Sequence, residues 1–150
     1  MKVFITGLTG TLGTAIAKIH CALGSQVWGC ARSEGRAVAW KTANPNSGAS
    51  LILSDAEQLA NPRSECGRLL PSMHKLYHCA AMKHVDLCEV HPTEAMKQNV
   101  TLTSTLAAAC KDIGVAMTFI SSDKACLPGG VYGLPKLIGE RMVIREGGTA

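Results

Sequence analysis

Aromatic residues are scarce in this chain, with two Trp, two Tyr and two Phe among 150 residues. That excludes an interior built mainly on stacked rings, so a core must be packed from aliphatic side chains, Ala, Met and Cys. Long apolar runs are missing as well. No segment approaches the ~18 apolar residues a membrane-spanning helix needs. The run KVFITG that follows Met1 lacks the basic-then-apolar order of a secretory leader, so a leader is not expected. There is no dense Lys/Arg run, and the formal charge is only +4. This argues against a nucleic-acid-binding arm and suits an anionic small molecule at least as well. Finally, no CxxC occurs among the cysteines at 21, 30, 66, 79, 88, 110 and 126. An odd number of cysteines, most of them within apolar patterns, points to free thiols in a reducing, cytoplasmic setting.

What is present is a chain that is 47% hydrophobic, enough for one domain over residues 1–150. Strands are expected at Lys2–Thr6, Gln26–Ala31, Leu51–Leu53, Lys75–Cys79 and Val115–Ile120. Thr11–Leu23 has helical spacing at Leu12, Ile16, Ile19 and Leu23. Residues 41–50 read as a loop, and 55–71 as short helical pieces broken by Pro62 and Pro71. Pro92 opens the best helical pattern, through Ala95, Met96, Val100, Leu106, Ala107 and Cys110 to Gly114. A last helix is expected from Tyr132 to Arg145, followed by a frayed GGTA tail. Strands separated by helices imply an α/β fold: a Rossmann-like, doubly wound parallel sheet of about five strands in the order 3-2-1-4-5. Ligands of such sheets bind beyond the C-terminal ends of the strands, and every polar cluster below follows a strand.

The first cluster is Thr6-Gly7-Leu8-Thr9-Gly10-Thr11-Leu12-Gly13. Gly7 can make a tight turn, Gly10 admits the pyrophosphate of a dinucleotide, and Gly13 permits close helix–strand packing. Free N–H groups at the helix start, including those around Thr11 and Leu12, would face the phosphates. After the second strand, Arg32 and Ser33 could hold a 2′-phosphate, while Glu34 is a possible hydroxyl partner. The balance favours NADP, with NAD possible. Asp55, after the third strand, suits either the adenine amino group or an N-cap. Ala80 and Ala81, after the fourth, are small enough to let backbone pass close to a cofactor.

The strongest chemical signal is Tyr132 with Lys136, four residues apart on one helix. A lysine ammonium beside a phenol favours the phenolate, a usable base near neutral pH. Ser122, after the fifth strand, would bring a hydroxyl to the same place. His84, Cys88 and His91 fall at helical spacing, but a structural zinc site wants a fourth ligand, and no metal is expected.

The ordered motifs TGLTGTLG, ARSE, CAAMKHVDLCEVHPTEAMKQNV and ISSDKACLPGGVYGLPK resemble the extended short-chain dehydrogenases. Within them the chain is similar to the polysaccharide-biosynthesis branch that includes inverting UDP-N-acetylglucosamine 4,6-dehydratases. The resemblance runs from Lys2 to about Glu146. It implies that Tyr132 takes the proton of the sugar 4-hydroxyl as hydride passes to NADP⁺, while Lys136 holds the nicotinamide ribose and Ser122 bonds to the hydroxyl. Asp123 and Lys124 would be the acid/base pair that eliminates water across C5 and C6. Asp-Lys at these two positions is the inverting pattern, where many retaining enzymes have Asp-Glu. Asn99 matches a structural asparagine of the relay, and Lys83 and His84 match a signature beside cofactor and substrate.

Members of that family are about twice this length, and a C-terminal lobe grips their substrate. The resemblance therefore implies that the substrate lobe is absent here, that strand five has a bare edge, and that a homo-oligomer or a completing partner chain would be needed. Without substrate positioning, worth ~7–11 kcal/mol in the best cases, turnover should be weak. Three readings follow: a nucleotide-sugar 4,6-dehydratase, a cofactor-binding remnant or interaction module without turnover, and an NADP-dependent reductase or epimerase. The partners expected are a nucleotide sugar, UDP-N-acetylglucosamine first, and neither nucleic acid nor membrane.

Overall fold

The computed structural model describes residues 1–150. Five strands, β1 (Lys2–Thr6), β2 (Gln26–Ala31), β3 (Ala49–Leu53), β4 (Lys75–His78) and β5 (Ala116–Phe119), form one sheet in the order β3-β2-β1-β4-β5. β1 pairs in parallel with β2 and β4, and β2 with β3. This is the Rossmann-like order expected from strands that alternate with helices. The chain divides into two compact units, Met1–Ala80 and Ala81–Ala150. No helix is long and apolar enough to cross a membrane.

In Met1–Ala80, β1 buries four residues in succession, Val3 to Thr6, as a strand covered on both faces does. Val3, Ile5, Leu8, Ala17, Val27 and Trp40 form the core. Helix α1 (Thr11–Ala22) follows β1 with the expected start and ends one residue before the expected Leu23, but it buries Gly13, Ala17 and His20. Leu12, Ile19 and Leu23 of the expected stripe are exposed. Small residues bring the helix axis close to the sheet, and the larger aliphatic side chains are left at its flanks. Helix α2 (Glu34–Ala43), which the sequence reading missed, lies between β2 and β3. Only Ala37 and Trp40 of it are buried, too few for a visible stripe. The supposed loop 41–50 is therefore the end of α2, a turn and the start of β3. Residues 55–71 do break into short pieces: a 3₁₀ turn at Ala56–Ala60, α3 (Glu65–Leu69) and a second 3₁₀ turn at Leu70–Ser72.

Ala81–Ala150 contains α4 (Val85–Val90), α5 (Pro92–Met96), α6 (Leu102–Asp112) and α7 (Gly133–Arg145). The long helix expected from Pro92 is interrupted by a π-helical turn at Lys97–Thr101. Three consecutive residues there, Gln98, Asn99 and Val100, are buried, which a regular helical stripe would not allow. Gly114, with φ +72°, ends α6: its N–H bonds Lys111 O at 3.2 Å, and Val115 N–H bonds Cys110 O at 2.8 Å.

The tail is not frayed, and the edge of β5 is not bare. Gly148 N–H bonds Val143 O at 2.8 Å, closing α7 and turning the chain back. Thr149 then pairs in parallel with Thr118. Its N–H bonds Met117 O at 2.9 Å, and its carbonyl accepts from Phe119 N–H at 2.8 Å. Two unpaired β5 groups find partners in this way, which offsets the usual hazard of an open edge.

Candidate functional site

Gly7 leaves β1 with φ +67°, a conformation that side chains disfavour. A Cβ there would also press on Ala80 N at 3.0 Å. Gly10 N–H closes the turn onto Gly7 O at 3.0 Å. At Gly13 a Cβ would collide with the same Gly7 carbonyl, so only glycine lets α1 start this close to the strand. Gly10 differs. Its φ is an ordinary −79°, and the only atom near a Cβ is Gly7 O at 3.2 Å. The protein itself demands little of Gly10; what glycine leaves free there is space outside the chain. The α1 N-terminus has no side-chain cap and no acidic residue in its first turn. Its N–H groups and the positive end of its dipole are thus available to an anion. Thr9 is half-buried and Thr11 and Leu12 are exposed along this opening.

A second feature here was not read from the sequence. The Thr6 hydroxyl accepts Ala80 N–H at 3.0 Å and lies 2.8 Å from His78 Nδ1. The hydroxyl donates to Nδ1 or accepts from it according to the His78 tautomer, and the bond holds either way. This buried link fixes the exit of β4 against the glycine turn. A threonine directly before the first glycine was the available signal.

At the exits of β2 and β3, Arg32 Nε lies 3.9 Å from Asp55 Oδ2. Arg32 is exposed and Asp55 half-buried, and at this separation the pair adds little stability. Asp55 accepts Glu57 N–H at 3.2 Å and caps the 3₁₀ turn, which realises the N-cap alternative. Ser33 accepts Arg36 N–H at 3.3 Å and caps α2.

In the second unit, Asn99 is buried in the π turn and clamps Met82 from both sides. Its Oδ1 accepts Met82 N–H and its Nδ2 donates to Met82 O, both at 2.9 Å. This fixes the segment that carries Ala81 and the exposed Lys83. The Cys88 thiol donates to the same Met82 carbonyl at 3.5 Å.

Beyond β5, Ser122 Oγ donates to Asp123 Oδ1 at 2.9 Å and accepts Lys124 N–H at 3.3 Å. Asp123 Oδ2 and Lys124 Nζ are 3.4 Å apart. The Ser122 hydrogen bond, and then the Lys124 ammonium, hold the Asp123 carboxyl below its ordinary range. Neighbouring Ser121 Oγ is buried with no partner, an orphan of a kind folded proteins seldom keep.

Helix α7 carries Tyr132 half-buried at its start and Lys136 one turn later, 4% exposed. Lys136 Nζ donates to Ile120 O at 2.8 Å and lies 4.5 Å from the centroid of the Phe119 ring. Pro135 falls in the first turn of α7, where its missing N–H costs nothing. A Cβ at Gly139 would touch the Phe119 ring at 3.0 Å. Glycine there lets α7 lie close enough to β5 for Lys136 to reach the strand exit. The anchoring roles of Phe119 and Ile120 could not be read in advance, since one uses a ring face and the other a backbone carbonyl.

Known proteins share this fold. The inverting UDP-N-acetylglucosamine 4,6-dehydratase of Campylobacter jejuni serotype O:2 is 36% identical over 74 residues, 49% of this chain and 22% of that enzyme. Among solved structures, Pen from Bacillus thuringiensis superposes with a TM-score of 0.86 at 28% identity, over 97% of this chain and 45% of that one. A UDP-glucose 4-epimerase from Stenotrophomonas maltophila, solved with NAD and formylated UDP-arabinopyranose, shares the fold with a TM-score of 0.79 at 18% identity. It too is matched over 97% of this chain but only 48% of its own length. Residues 3–149 match the polysaccharide biosynthesis protein family, and the chain belongs to that family.

Proposed function

We propose that this chain carries the cofactor-phosphate loop and the proton-transfer residues of an NADP-dependent nucleotide-sugar 4,6-dehydratase of the inverting type, with UDP-N-acetylglucosamine as substrate. The observation that carries this reading is the cluster at the exit of β5. Ser122, Asp123 and Lys124 are joined by hydrogen bonds there, and Lys136 is anchored to the same exit through Ile120 O.

The residues fit a dinucleotide. The uncapped start of α1, the open side of Gly10 and the close approach at Gly13 suit a pyrophosphate. The Arg32 guanidinium, with the Ser33 hydroxyl beside it, suits a 2′-phosphate, which favours NADP. When bound, the nicotinamide supplies reversible hydride acceptance. The chain's own residues do the rest. Tyr132 takes the 4-hydroxyl proton, and the ketone formed at C4 acidifies the C5–H. The Asp123–Lys124 pair removes that proton and gives one to the departing C6 hydroxyl, so one water leaves and a 4-keto-5,6-ene is formed. Return to C6 of the hydride taken from C4, with a proton given back to C5 by the same pair, yields the 4-keto-6-deoxy sugar. Ser122 orients the 4-hydroxyl, and Asn99 keeps the segment of Met82 and Lys83 in place.

Two observations favour other readings. A UDP-glucose 4-epimerase of Rickettsia canadensis is 38% identical over 72 residues; an epimerase or reductase would need Tyr132 and Lys136 but not Lys124. Because the chain spans about half of the solved structures it matches, a cofactor-binding module without turnover is the other.

The test is mass spectrometry of UDP-N-acetylglucosamine incubated with the purified chain and NADP⁺. Loss of one water, abolished by Lys124→Ala, is the expected result. An isomer of unchanged mass, resolved from the substrate by chromatography ahead of the mass spectrometer and retained in Lys124→Ala, would replace the dehydratase with an epimerase. Unchanged substrate with a folded, cofactor-binding chain would leave the binding module.

A further inference from the structure

We infer that Glu89 is a positioning residue for Tyr132, holding from α4 the backbone that opens α7. The statement about Tyr132 rests on the function proposed above; the contact itself does not. Glu89 Oε1 accepts Val131 N–H at 2.7 Å across 42 residues of sequence. A Cβ at Gly130 would run into the same carboxylate oxygen. The carboxylate therefore lies directly over the Gly130–Val131 peptide, and glycine is what admits it.

The electrostatics explain why a carboxylate stands there. Glu89 lies in the last turn of its own helix, α4 (Val85–Val90), where the dipole disfavours negative charge. It points instead at the start of α7, which has no side-chain cap and no acidic residue in its first turn. Glu89 supplies, from another helix, an acceptor to the peptide just ahead of the Tyr132 N-cap of α7. A charge-assisted bond from a carboxylate to a backbone N–H is shorter and stronger than a neutral one, and 2.7 Å fits that class.

Both ends of the clamp are tied down. On one side, buried Cys88 holds α4 to Met82, and Asn99 holds Met82. On the other, Leu134 N–H bonds Gly130 O at 3.2 Å, closing the first turn of α7 around Tyr132. Gly133 packs against the Lys124 carbonyl and Pro128, so the loop rests on itself there. Glu89 is the grip on this loop from outside it.

The experiment uses the chain with fluorinated tyrosine. Its two tyrosines, Tyr77 and Tyr132, give one reporting signal and one internal control. Glu89→Ala should move or broaden the Tyr132 resonance, leave Tyr77 unchanged, and raise amide exchange at Val131 about tenfold. Glu89→Gln keeps an acceptor oxygen and should return both readings towards wild type. Gly130→Ala keeps Glu89 but displaces its carboxylate, and should reproduce Glu89→Ala. Where the chain turns over substrate, kcat should fall about tenfold in Glu89→Ala with KM little changed, and Glu89→Gln should rescue it. An unmoved Tyr132 signal and unchanged Val131 exchange in folded Glu89→Ala would overturn the clamp whether or not there is turnover. A shifted Tyr132 with unchanged kcat and pH profile would overturn its positioning role. A wild-type chain without turnover counts against the proposed function alone, because the resonance and exchange readings still decide the clamp.

Discussion

The ammonium of Lys136 donates to the Ile120 carbonyl oxygen at 2.8 Å while only 4% of the residue is exposed. A buried ammonium is costly unless its donors are satisfied. Here one donor meets a carbonyl at the end of β5, and the face of Phe119, 4.5 Å away, adds a cation–π attraction. The same contact brings α7 to the strand exit from which Ser122 and Asp123 project.

Replacing this lysine separates chemistry from stability. Lys136→Met keeps the stem and removes the charge. Exchanging a buried charge for a well-packed apolar group is often neutral or stabilising. Unfolding in urea should shift by no more than about 2 kcal/mol, while turnover should fall ~10²-fold or more, the usual scale of a lost acid/base function. A fall in activity that merely tracked a lost fold would make Lys136 structural.

Gly10 and Gly13 should behave differently under the same substitution. Gly13→Ala drives a methyl into the Gly7 carbonyl, so α1 must retreat from the strand. A destabilisation of ~1–3 kcal/mol is expected, as for other overpacked sites. Gly10→Ala meets only Gly7 O at 3.2 Å and should fold with nearly unchanged stability. Its methyl occupies the side open to a pyrophosphate, so calorimetry should show NADP⁺ affinity reduced more than tenfold. Equal affinity in Gly10→Ala and wild type would remove the phosphate role from this loop.

Those glycines were legible in the sequence because their spacing and their place between a strand and a helix constrain backbone geometry. β1 and β2 were legible as compact β-rich runs, and the Tyr132–Lys136 spacing by its single helical turn. Other features lacked a local signature. Helix α2 buries Ala37 and Trp40 but leaves Val38 59% exposed, so its apolar pattern points the wrong way. Helix α4 buries only Cys88 while exposing Val85, Leu87 and Val90. The π turn breaks the period that found the helix around it. The pairing of Thr149 with Thr118, and the grip of Glu89 on Val131, depend on chain returns that no periodicity encodes.

Asn99 makes a sharp test of that non-local architecture. Its amide satisfies both the N–H and the carbonyl of Met82 at 2.9 Å. Asn99→Leu would strand the Met82 N–H and leave its carbonyl only the weak Cys88 thiol donor, at ~1–3 kcal/mol for each bond lost. The expected loss is about 2–4 kcal/mol in urea unfolding, near the upper end for a point substitution. Asn99→Asp keeps an acceptor for Met82 N–H and should lie between Leu and wild type. A loss below ~1 kcal/mol in Asn99→Leu would mean that the Met82 segment is held by other contacts.

The ion pair between Lys111 and Glu146 should govern part of the acid stability. Lys111 Nζ lies 2.8 Å from Glu146 Oε2, just before the turn that carries the tail to β5. The Lys111 hydrogen bond is the first cause that holds the Glu146 carboxyl below its ordinary value of 4.5. With a lowered carboxyl in the fold, the unfolded chain binds more protons, and stability rises with pH across the window. The contribution is fully present above pH 4.5 and is lost as pH falls through the lower folded value. Asp123 titrates with the same sign, through Ser122 and Lys124, so acid dependence from that site remains when Lys111 is replaced. Lys111→Met removes the Lys111 part of the Glu146 contribution and leaves the smaller part due to Arg145. Its thermal midpoint should lie below that of wild type near neutral pH, and the two curves should converge as the medium is acidified. Parallel curves across the whole range would show that Lys111 does not hold Glu146 in solution, and that the Thr149 bridge stands without this anchor.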